Sequence, residues 1–237
     1  MLTDYHSHFL PAMDDGPEDA WMSIEMLGMW KAQGVDRVIA TPHFYPHRES
    51  IESFLSRRES AFDSLGMVIR SPRTGQGAEV RVEKGISEVE RMRELTLAGS
   101  RYILLELPYA PFKEWMTAEI YNLKYNFGLI PVIAHIDRYT QWYAKDDMSQ
   151  VLSVQGAVLQ INNEALFKRS TRKFALKIIR GGLPVIFGSD AHNTGERPPN
   201  VEAAWKILRS NLKETEYLAL VQMNESLADS GEHIGLK

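Results

Sequence analysis

The amino-acid sequence predicts an α/β fold, a single-domain TIM-like barrel of about seven strand–helix units. Short runs of apolar, β-branched residues recur along the chain, longer segments with helical spacing separate them, and no linker-like stretch divides them. Continuous apolar strands that alternate with helices are typical of a parallel sheet buried on both faces. We therefore expect residues 1–237 to form one domain, with a flexible tail from about residue 228.

Five segments are predicted to be buried strands, because each is short, β-branched and bounded by Gly or Pro. They are residues 35–41 (VDRVIAT), 102–107 (YILLEL), 129–134 (LIPVIA), 157–161 (AVLQI) and 183–187 (LPVIF). A first strand is expected just before the first two histidines of the chain. A third strand lies within residues 68–83 (VIRSPRTGQGAEVRVE), where Gly, Pro and Arg obscure its limits.

Seven segments are predicted to be helices from the spacing of their apolar residues. The first, residues 18–33, follows Pro17 and ends at Gly34, which are typical start and stop signals. The others are residues 51–65, 85–97, 113–127, 149–154, 172–180 and 199–212.

The composition excludes several classes of function. The formal net charge of −4 does not favour a nucleic-acid partner, for which a basic surface is expected. No apolar run approaches the ~20 residues that span a bilayer, and the N-terminus lacks the features of a signal peptide. The sequence therefore predicts a cytoplasmic protein without membrane insertion, and it leaves homo-oligomer formation open.

Residues with metal-binding side chains recur at the predicted strand ends, where barrels of this type hold their active sites. His6 and His8 have H-x-H spacing, which directs both side chains to the same side of an extended chain, and Asp190 and His192 repeat that spacing. The chain has no cysteine, so any metal must bind His, Asp and Glu. Such nitrogen and oxygen ligands suit Mn, Zn or Fe better than Ca or Mg.

The remaining candidates at strand ends are His43, Glu79, Glu106 and His135. Taken singly, each candidate has a structural explanation, such as an ion pair for Glu106 or a helix N-cap for Asp190. Their recurrence at nearly every strand end favours a metal site instead.

Four acidic residues form two pairs of alternatives. Glu79 and Glu83 compete for one ligand position, as do Asp14 and Asp15, either of which is also suited to cap the following helix. His47 is expected in a loop without an assigned role, and His233 lies in the polar tail.

The motifs DYHSHFLPAMDDG, ATPH, GAE, LELP, AHIDRY and GSDAHN…RPP together resemble the polymerase and histidinol phosphatase (PHP) superfamily. Within it they are similar to the bacterial manganese-dependent tyrosine-protein phosphatases of capsule and exopolysaccharide operons. The resemblance spans essentially the whole chain, from His6 to the turn at Arg197. It implies a distorted (β/α)7 barrel with a trinuclear metal site, preferably loaded with Mn²⁺, with Fe, Zn and Mg as alternatives.

The resemblance also implies a role for each candidate. One ion would be held by His6, His8, Glu79 and Asp190. Glu79 would bridge to a second ion, which Glu106 and His135 complete, and the third would be held by Asp15, His43 and His192. Arg138 and Arg197 match two arginines that face the phosphate.

A chain without cysteine cannot use a thiolate nucleophile, so the expected nucleophile is water or hydroxide activated by the metal site. A tyrosyl leaving group has a pKa of about 10 and needs little help from a general acid. If an acid is used, His43 or His192 is the candidate. Aromatic residues in or near strand-end loops mostly pack in the core, and the alternative role is a rim that holds an aromatic substrate. The six candidates are Tyr5, Phe44, Tyr45, Tyr109, Phe112 and Trp115.

The function expected from this resemblance is hydrolysis of phosphotyrosine on protein. The expected partner is a cognate bacterial tyrosine kinase whose tyrosine-rich tail is the substrate, in the control of capsule or exopolysaccharide synthesis. The alternatives are a small-molecule phosphomonoesterase of the histidinol-phosphatase type, an amidohydrolase-type C–N hydrolase and a non-catalytic metal-binding regulatory module. The DDGP and HIDRY…RPP segments oppose the first alternative, the lack of a lysine at a core strand end opposes the second, and the complete ligand set opposes the third.

Overall fold

A computed structural model describes residues 1–66 and 71–230. Part of the obscured strand region, residues 68–70, and the tail beyond residue 230 with His233 lie outside the described residues. The strands are β1 (Thr3–Ser7), β2 (Arg37–Ala40), β3 (His43–Phe44), β4 (Arg73–Gln76), β5 (Glu79–Arg81), β6 (Tyr102–Glu106), β7 (Ile130–Ile133), β8 (Val158–Asn162) and β9 (Val185–Gly188). The α-helices are α1 (Ala20–Ala32), α2 (Ile51–Ser64), α3 (Glu114–Phe127), α4 (Lys145–Leu152), α5 (Arg169–Arg180), α6 (Val201–Asn211) and α7 (Glu214–Ser230).

All strand pairs are parallel, and they form two sheets in the orders β1-β2-β4 and β3-β5-β6-β7-β8-β9. The backbone N–H of Glu79 donates to Pro42 O at 3.0 Å, so the pairing continues from the first sheet into the second. At the other edge, the N–H of Asp190 donates to His6 O at 2.7 Å and the N–H of His8 donates to Ala191 O at 2.9 Å. The strands therefore form a curled parallel sheet whose first and last strands meet.

Most strands are buried on both faces, which explains the continuous apolar sequences of β6, β7 and β9, whereas β4 is exposed or half-buried along its length. In β6, Ile103 and Leu105 pack in the larger core, together with helix residues such as Trp30 and Ile120. Leu104 points to the opposite face and packs in a smaller cluster of strand side chains. A strand such as β6 is thus fixed from both sides, and its carboxyl end is held in place. Among the described helices, none is long and apolar enough to cross a membrane.

Most predicted elements occur within a few residues of their expected limits, but the helix predicted over residues 85–97 is wrong. That segment forms only short 3₁₀ turns, at Ile86–Glu88, Met92–Leu95 and Leu97–Gly99. Gly85, Arg91 and Ala98 have left-handed φ angles of 84°, 65° and 51°, which interrupt an α-helix. Helix α7 was not predicted, although Leu220, Asn224 and Leu227 bury one side of it at helical spacing.

The end of β9 approaches the first histidine very closely. A Cβ atom at Gly188 would lie 2.5 Å from the Cβ of His6 and 2.8 Å from its backbone nitrogen. No side chain fits there without moving β1, so glycine is required. Gly28 on α1 offers the opposite case, because a Cβ at that position would meet nothing within 4 Å.

We expect Gly188→Ala to lower the free energy of unfolding by about 1–3 kcal/mol, because it overpacks the contact between β9 and β1. Gly28→Ala is the matched control and should raise it by about 0.5–1 kcal/mol, because alanine favours a helix interior. Urea unfolding of the metal-free proteins measures both. Equal stability of the Gly188→Ala variant and the wild type would contradict the packing described here.

Candidate metal centre

The structure brings together all nine side chains that the sequence suggested as metal ligands. They lie at the carboxyl end of the curled sheet: His6, His8, Asp15, His43, Glu79, Glu106, His135, Asp190 and His192. His6 is within β1 and His8 is one residue beyond it, while Glu79 begins β5 and Glu106 ends β6. Seven of the nine are buried, His43 is partly buried, and Asp15 has 62% of its side chain exposed.

Four ligand atoms at the centre of the cluster are spaced as donors around one ion. His6 Nε2 lies 3.1 Å from His8 Nε2 and 3.2 Å from Glu79 Oε2. His8 Nε2 lies 3.3 Å from Glu79 Oε2 and 3.4 Å from Asp190 Oδ1. Two ligands that are each about 2.1 Å from an ion, at angles of about 90–109°, are about 3.0–3.4 Å apart. Ligand atoms of His6, His8 and Asp190 all lie within 4.8 Å of one another and so fit a shared metal ion, with Glu79 beside both imidazoles.

Glu79 connects this group to its neighbours through both carboxylate oxygens. Its Oε2 is 3.0 Å from His43 Nδ1, and its Oε1 is 2.7 Å from His135 Nε2. Glu106 lies beyond, with Oε1 at 3.8 Å from His135 Nε2. Ligand atoms of His43, Glu79 and Glu106 also lie within 4.8 Å of one another, so this region offers a second metal position.

A third group lies nearer the surface. Ligand atoms of four residues are within 4.8 Å of one another there: His8, Asp15, His43 and His192. Asp15 Oδ1 is 3.2 Å from His192 Nε2 and 3.7 Å from His43 Nε2. The three groups overlap at His8 and His43, and His135 borders the second group, with Nε2 2.7 Å from Glu79 and 3.8 Å from Glu106.

Two buried nitrogen atoms indicate that the cluster fits metal ions. Within the described part of the chain, His43 Nδ1 and His192 Nε2 have no hydrogen-bond partner, although carboxylate oxygens of Glu79 and Asp15 lie 3.0 and 3.2 Å away. These approaches do not have hydrogen-bond geometry. A buried polar atom without a partner is unfavourable, and a divalent cation next to an imidazole nitrogen and a carboxylate oxygen satisfies both.

The second ring nitrogen of three histidines is occupied, which directs Nε2 into the cluster. Gln160 Oε1 is 3.0 Å from His6 Nδ1, Asp14 Oδ2 is 2.7 Å from His8 Nδ1, and the Asp190 carbonyl oxygen is 2.9 Å from His192 Nδ1. All three oxygens only accept, so each Nδ1 carries the proton. This is the arrangement that orients metal-binding imidazoles in proteins.

The same contacts distinguish between the acidic alternatives. Asp14 supports His8 and also accepts the backbone N–H of His43 at 2.9 Å, while Asp15 reaches the outer group. Neither caps α1, whose N-cap is Asp19. Glu79 is in the cluster and 1% exposed, whereas Glu83 pairs with His47 away from it.

Strand β8 contributes no expected ligand, yet two of its polar side chains hold three ligands in place. Gln160 Oε1 accepts hydrogen bonds from His6 Nδ1 and from the backbone N–H of His135 at 2.6 Å. Gln160 Nε2 donates to Asn162 Oδ1, and Asn162 Nδ2 donates to Asp190 Oδ2, both at 3.0 Å. Neither residue was predicted from the sequence, although the alternation Gln-Ile-Asn at a strand end was a usable signal.

Two of the site residues have left-handed backbone conformations. The φ angles of His135 and Asp190 are 30° and 54°. Both residues follow directly on strand ends, and their backbone N–H groups are held by Gln160 and His6. Such conformations are sparsely populated and cluster at functional sites, where neighbouring contacts stabilise them.

The charges of the cluster shift the pKa values of its members. Burial lowers the pKa of His8 and His43, but Asp14 and Glu79 outweigh this effect and raise the pKa of each to about 9. Burial raises the pKa of Glu79, but His6 and His43 hold it well below its usual range. Burial and the proximity of His8 lower the pKa of His192. Without metal, His8 and His43 are therefore protonated at neutral pH.

Three arginines lie at the mouth of the cluster. Arg138 Nη2 is 2.5 Å from Asp190 Oδ2, and Arg197 Nη2 is 3.0 Å from Asp190 Oδ1. Arg81, which the sequence analysis missed, donates to Glu106 Oε2 at 2.8 Å. All three guanidinium groups line a cavity of about 440 Å³ that opens above the cluster.

A larger cavity of about 1160 Å³ lies at the opposite end of the sheet, near the first residues of β2 and β4. None of the nine candidate ligands lines it, and several of its charged side chains already pair with one another, such as Arg91 with Glu52 and Glu94. We therefore assign the candidate functional site to the smaller cavity.

The fold and the centre define a class of protein: a curled parallel α/β sheet that carries a His, Asp and Glu cluster suited to metal ions. The chain belongs to the CpsB/CapC family of capsular polysaccharide synthesis, whose profile matches residues 2–227. It is 31% identical over 216 residues to the tyrosine-protein phosphatase YwqE of Bacillus subtilis (strain 168). The match covers 87% of this chain and 84% of YwqE. It is 28% identical over 222 residues to the tyrosine-protein phosphatase CpsB of Streptococcus pneumoniae, covering 87% and 89%.

Solved structures agree with this assignment. A chain from the crystal structures of YwqE from Bacillus subtilis and CpsB from Streptococcus pneumoniae, described as metal-dependent tyrosine phosphatases, matches with a TM-score of 0.73 and 27% identity. The match covers 98% of this chain and 93% of that chain. The phosphotriesterase homology protein of Escherichia coli has a TM-score of 0.51 at 13% identity, which shows a shared fold alone.

We expect the affinity of the metal-free protein for Mn²⁺ to increase from about pH 7 to about pH 9. His8 and His43 must lose their protons before they bind a metal, so binding releases protons. Calorimetric titrations in buffers of different ionisation enthalpy measure this release. A His47→Gln control should show the same dependence, and an affinity that is constant over this range would contradict the assignment.

We expect Gln160→Ala to weaken metal binding by about 10–100-fold, as loss of a residue that orients a ligand typically does. Competition with a fluorescent chelator measures the affinity without requiring activity. Gln150→Ala, at an exposed position on α4, is the control and should bind metal like the wild type. Equal affinities of all three proteins would show that Gln160 does not position His6.

Proposed function

We propose that this protein is a metal-dependent phosphatase that hydrolyses phosphotyrosine on proteins in capsule or exopolysaccharide synthesis. The observation that carries the proposal is the spacing of His6, His8, Glu79 and Asp190 around one point, next to a cavity lined by arginines. The family and the named activities of YwqE and CpsB support it. The tyrosine-rich tail of a cognate tyrosine kinase is the proposed physiological substrate.

The finer features of the fold and the site belong to the same proposal. The hydrogen bonds between β1 and the segment after β9 support closure of the sheet into a distorted (β/α)7 barrel. The three overlapping ligand groups support a trinuclear site, and their nitrogen and oxygen donors suit Mn²⁺. The cytoplasmic location stays a prediction.

The residues of the cluster would hold the divalent ions in the groups described above. Bound ions of this kind lower the pKa of a water molecule towards neutrality and neutralise charge on phosphate oxygens. The chain contributes by directing Nε2 of His6 and His8 inward through Gln160 and Asp14. It also keeps the carboxylates of Glu79 and Asp190 ionised, since neighbouring cationic groups lower the pKa of each against the effect of burial.

Arg138 and Arg197 are proposed to bind the phosphate. A guanidinium group has five N–H donors in a planar fork that matches phosphate oxygens. The contacts of Arg138 and Arg197 with Asp190 and Asp15 hold both groups at the cavity and leave further N–H donors for a substrate. The two proton donors suggested by the sequence, His43 and His192, both belong to the proposed ligand groups. An imidazole bound to a metal is poorly suited to proton transfer, so we assign neither as the general acid, and a tyrosyl leaving group with a pKa of about 10 needs little such help.

The proposal is tested by the hydrolysis of a phosphotyrosyl peptide with Mn²⁺, with and without a chelator. We expect turnover that the chelator abolishes and added Mn²⁺ restores. Histidinol phosphate is the comparison substrate, and preferential hydrolysis of it would favour the small-molecule alternative. The absence of chelator-sensitive hydrolysis of any phosphoester would contradict the proposal.

Two variants separate the metal centre from the phosphate contacts. Asp190→Ala removes a ligand and two arginine contacts, and we expect it to abolish measurable turnover. Arg197→Ala should lower kcat/KM by about 10–100-fold, the equivalent of one hydrogen bond between charged groups, while metal binding persists. Arg209→Ala, at an exposed position on α6, is the control. Wild-type kinetics in both site variants would refute the assignment.

A further inference from the structure

The structure separates the six aromatic residues that the sequence placed near the strand ends. Tyr5 and Phe44 are 1% exposed and belong to the two cores. Phe112 and Trp115 are half-buried and pack against the larger core. Tyr45 and Tyr109 both line the 440 Å³ cavity above the metal centre. Among the described residues that line this cavity, they are the two that carry a phenyl ring.

The two tyrosines have equivalent positions relative to the centre. The ring of Tyr45 stacks on His43, with centroids 5.2 Å apart and planes inclined by 29°. The ring of Tyr109 stacks on His135, with centroids 5.8 Å apart and planes inclined by 24°. His43 contacts one oxygen of Glu79 and His135 contacts the other. Each tyrosine thus stacks on one imidazole of the cluster and lines the cavity.

Both rings are fixed by further contacts. The guanidinium carbon of Arg48 lies 4.5 Å from the centroid of Tyr45, and that of Arg81 lies 5.7 Å from the centroid of Tyr109. Tyr109 also contacts the ring of Trp142, with centroids 6.1 Å apart. The remaining residues of the cavity wall are charged or imidazole side chains, so the two phenyl rings supply its aromatic surface.

We propose that Tyr45 and Tyr109 form an aryl subsite. This inference rests on the proposed phosphatase function, and the subsite defines the substrate class of the phosphatase. The subsite holds the phenyl ring of phosphotyrosine while the phosphate lies against the metal centre and the arginines. Aromatic rings 4.5–7 Å apart attract one another beyond the effect of buried area. An alkyl phosphate makes no such contact with either ring. Tyr45 and Tyr109 therefore make the site select aryl over alkyl phosphates.

Binding of two phosphonates tests this selectivity without any dependence on the leaving group. Phenylphosphonate and methylphosphonate share the charged group and differ in the ring, and calorimetry with the Mn²⁺-loaded protein measures the affinity of each. We expect the wild type to prefer phenylphosphonate. Tyr45→Ala and Tyr109→Ala should each reduce that preference about 3- to 10-fold, with methylphosphonate affinity unchanged.

Conservative variants and a distant control complete the experiment. Tyr45→Phe and Tyr109→Phe keep the ring and should keep the preference, whereas Tyr45→Leu and Tyr109→Leu keep apolar volume and should lose it. Tyr125 lies on α3 and is 73% exposed, and the Tyr125→Ala variant should behave as the wild type. Equal weakening of both phosphonates, or no preference in the wild type, would overturn the subsite.

The outcome of this experiment is separate from that of the proposed function. Chelator-sensitive phosphotyrosine hydrolysis together with unchanged phosphonate preference in the alanine variants would overturn the subsite and leave the phosphatase intact. Absence of phosphotyrosine hydrolysis together with binding of neither phosphonate would overturn both.

Discussion

The structure depends on one constraint, the burial of several negatively charged carboxylates close together at one end of the sheet. Glu79, Glu106 and Asp190 are each at most 4% exposed and lie within a cluster of imidazoles at one end of the sheet. A buried carboxylate is very unfavourable unless it is paired or bound to a metal. Protonated histidines and arginines compensate these charges in part, yet two imidazole nitrogens of the cluster have no hydrogen-bond partner. Divalent cations satisfy the carboxylates and these nitrogens together, so the metal centre and the local fold stabilise one another.

The fold meets this constraint by using the ends of parallel strands. The strands bring ligands from distant parts of the chain to one edge, and Gly188 allows β9 to approach β1 closely enough for Asp190 to reach His6. Strand β8 supplies Gln160 and Asn162 in place of ligands, and these fix the orientation of side chains from its neighbours. Arginines and two tyrosines then surround the same point from outside. A centre held in this way presents cationic and aromatic groups to a phosphorylated aromatic side chain, as the proposed function requires.

The sequence predicted the cluster because its signal is local: H-x-H, D-x-H and single acidic residues after short apolar strands. The grouping of the candidate ligands was less accessible, because His8 and His43 each join two groups only after the strands curl. The choice between Asp14 and Asp15 depended on which of them reaches His8. Arg81 was missed because a single polar residue in a strand carries no functional signal until its neighbour is known, whereas the alternation of Gln160 and Asn162 was a signal that could have been used. The false helix over residues 85–97 has a similar cause, since the left-handed conformations of Arg91 and Ala98 are not encoded by apolar spacing.

The central claim is that the His, Asp and Glu cluster is a metal centre. Anomalous X-ray diffraction from crystals grown with Mn²⁺ tests it most directly, because it locates the ions without reference to activity. The account predicts anomalous peaks within the cluster, one of them about 2.0–2.3 Å from the Nε2 atoms of His6 and His8. Crystals that contain Mn²⁺ elsewhere on the protein, with no anomalous peak among these side chains, would contradict it.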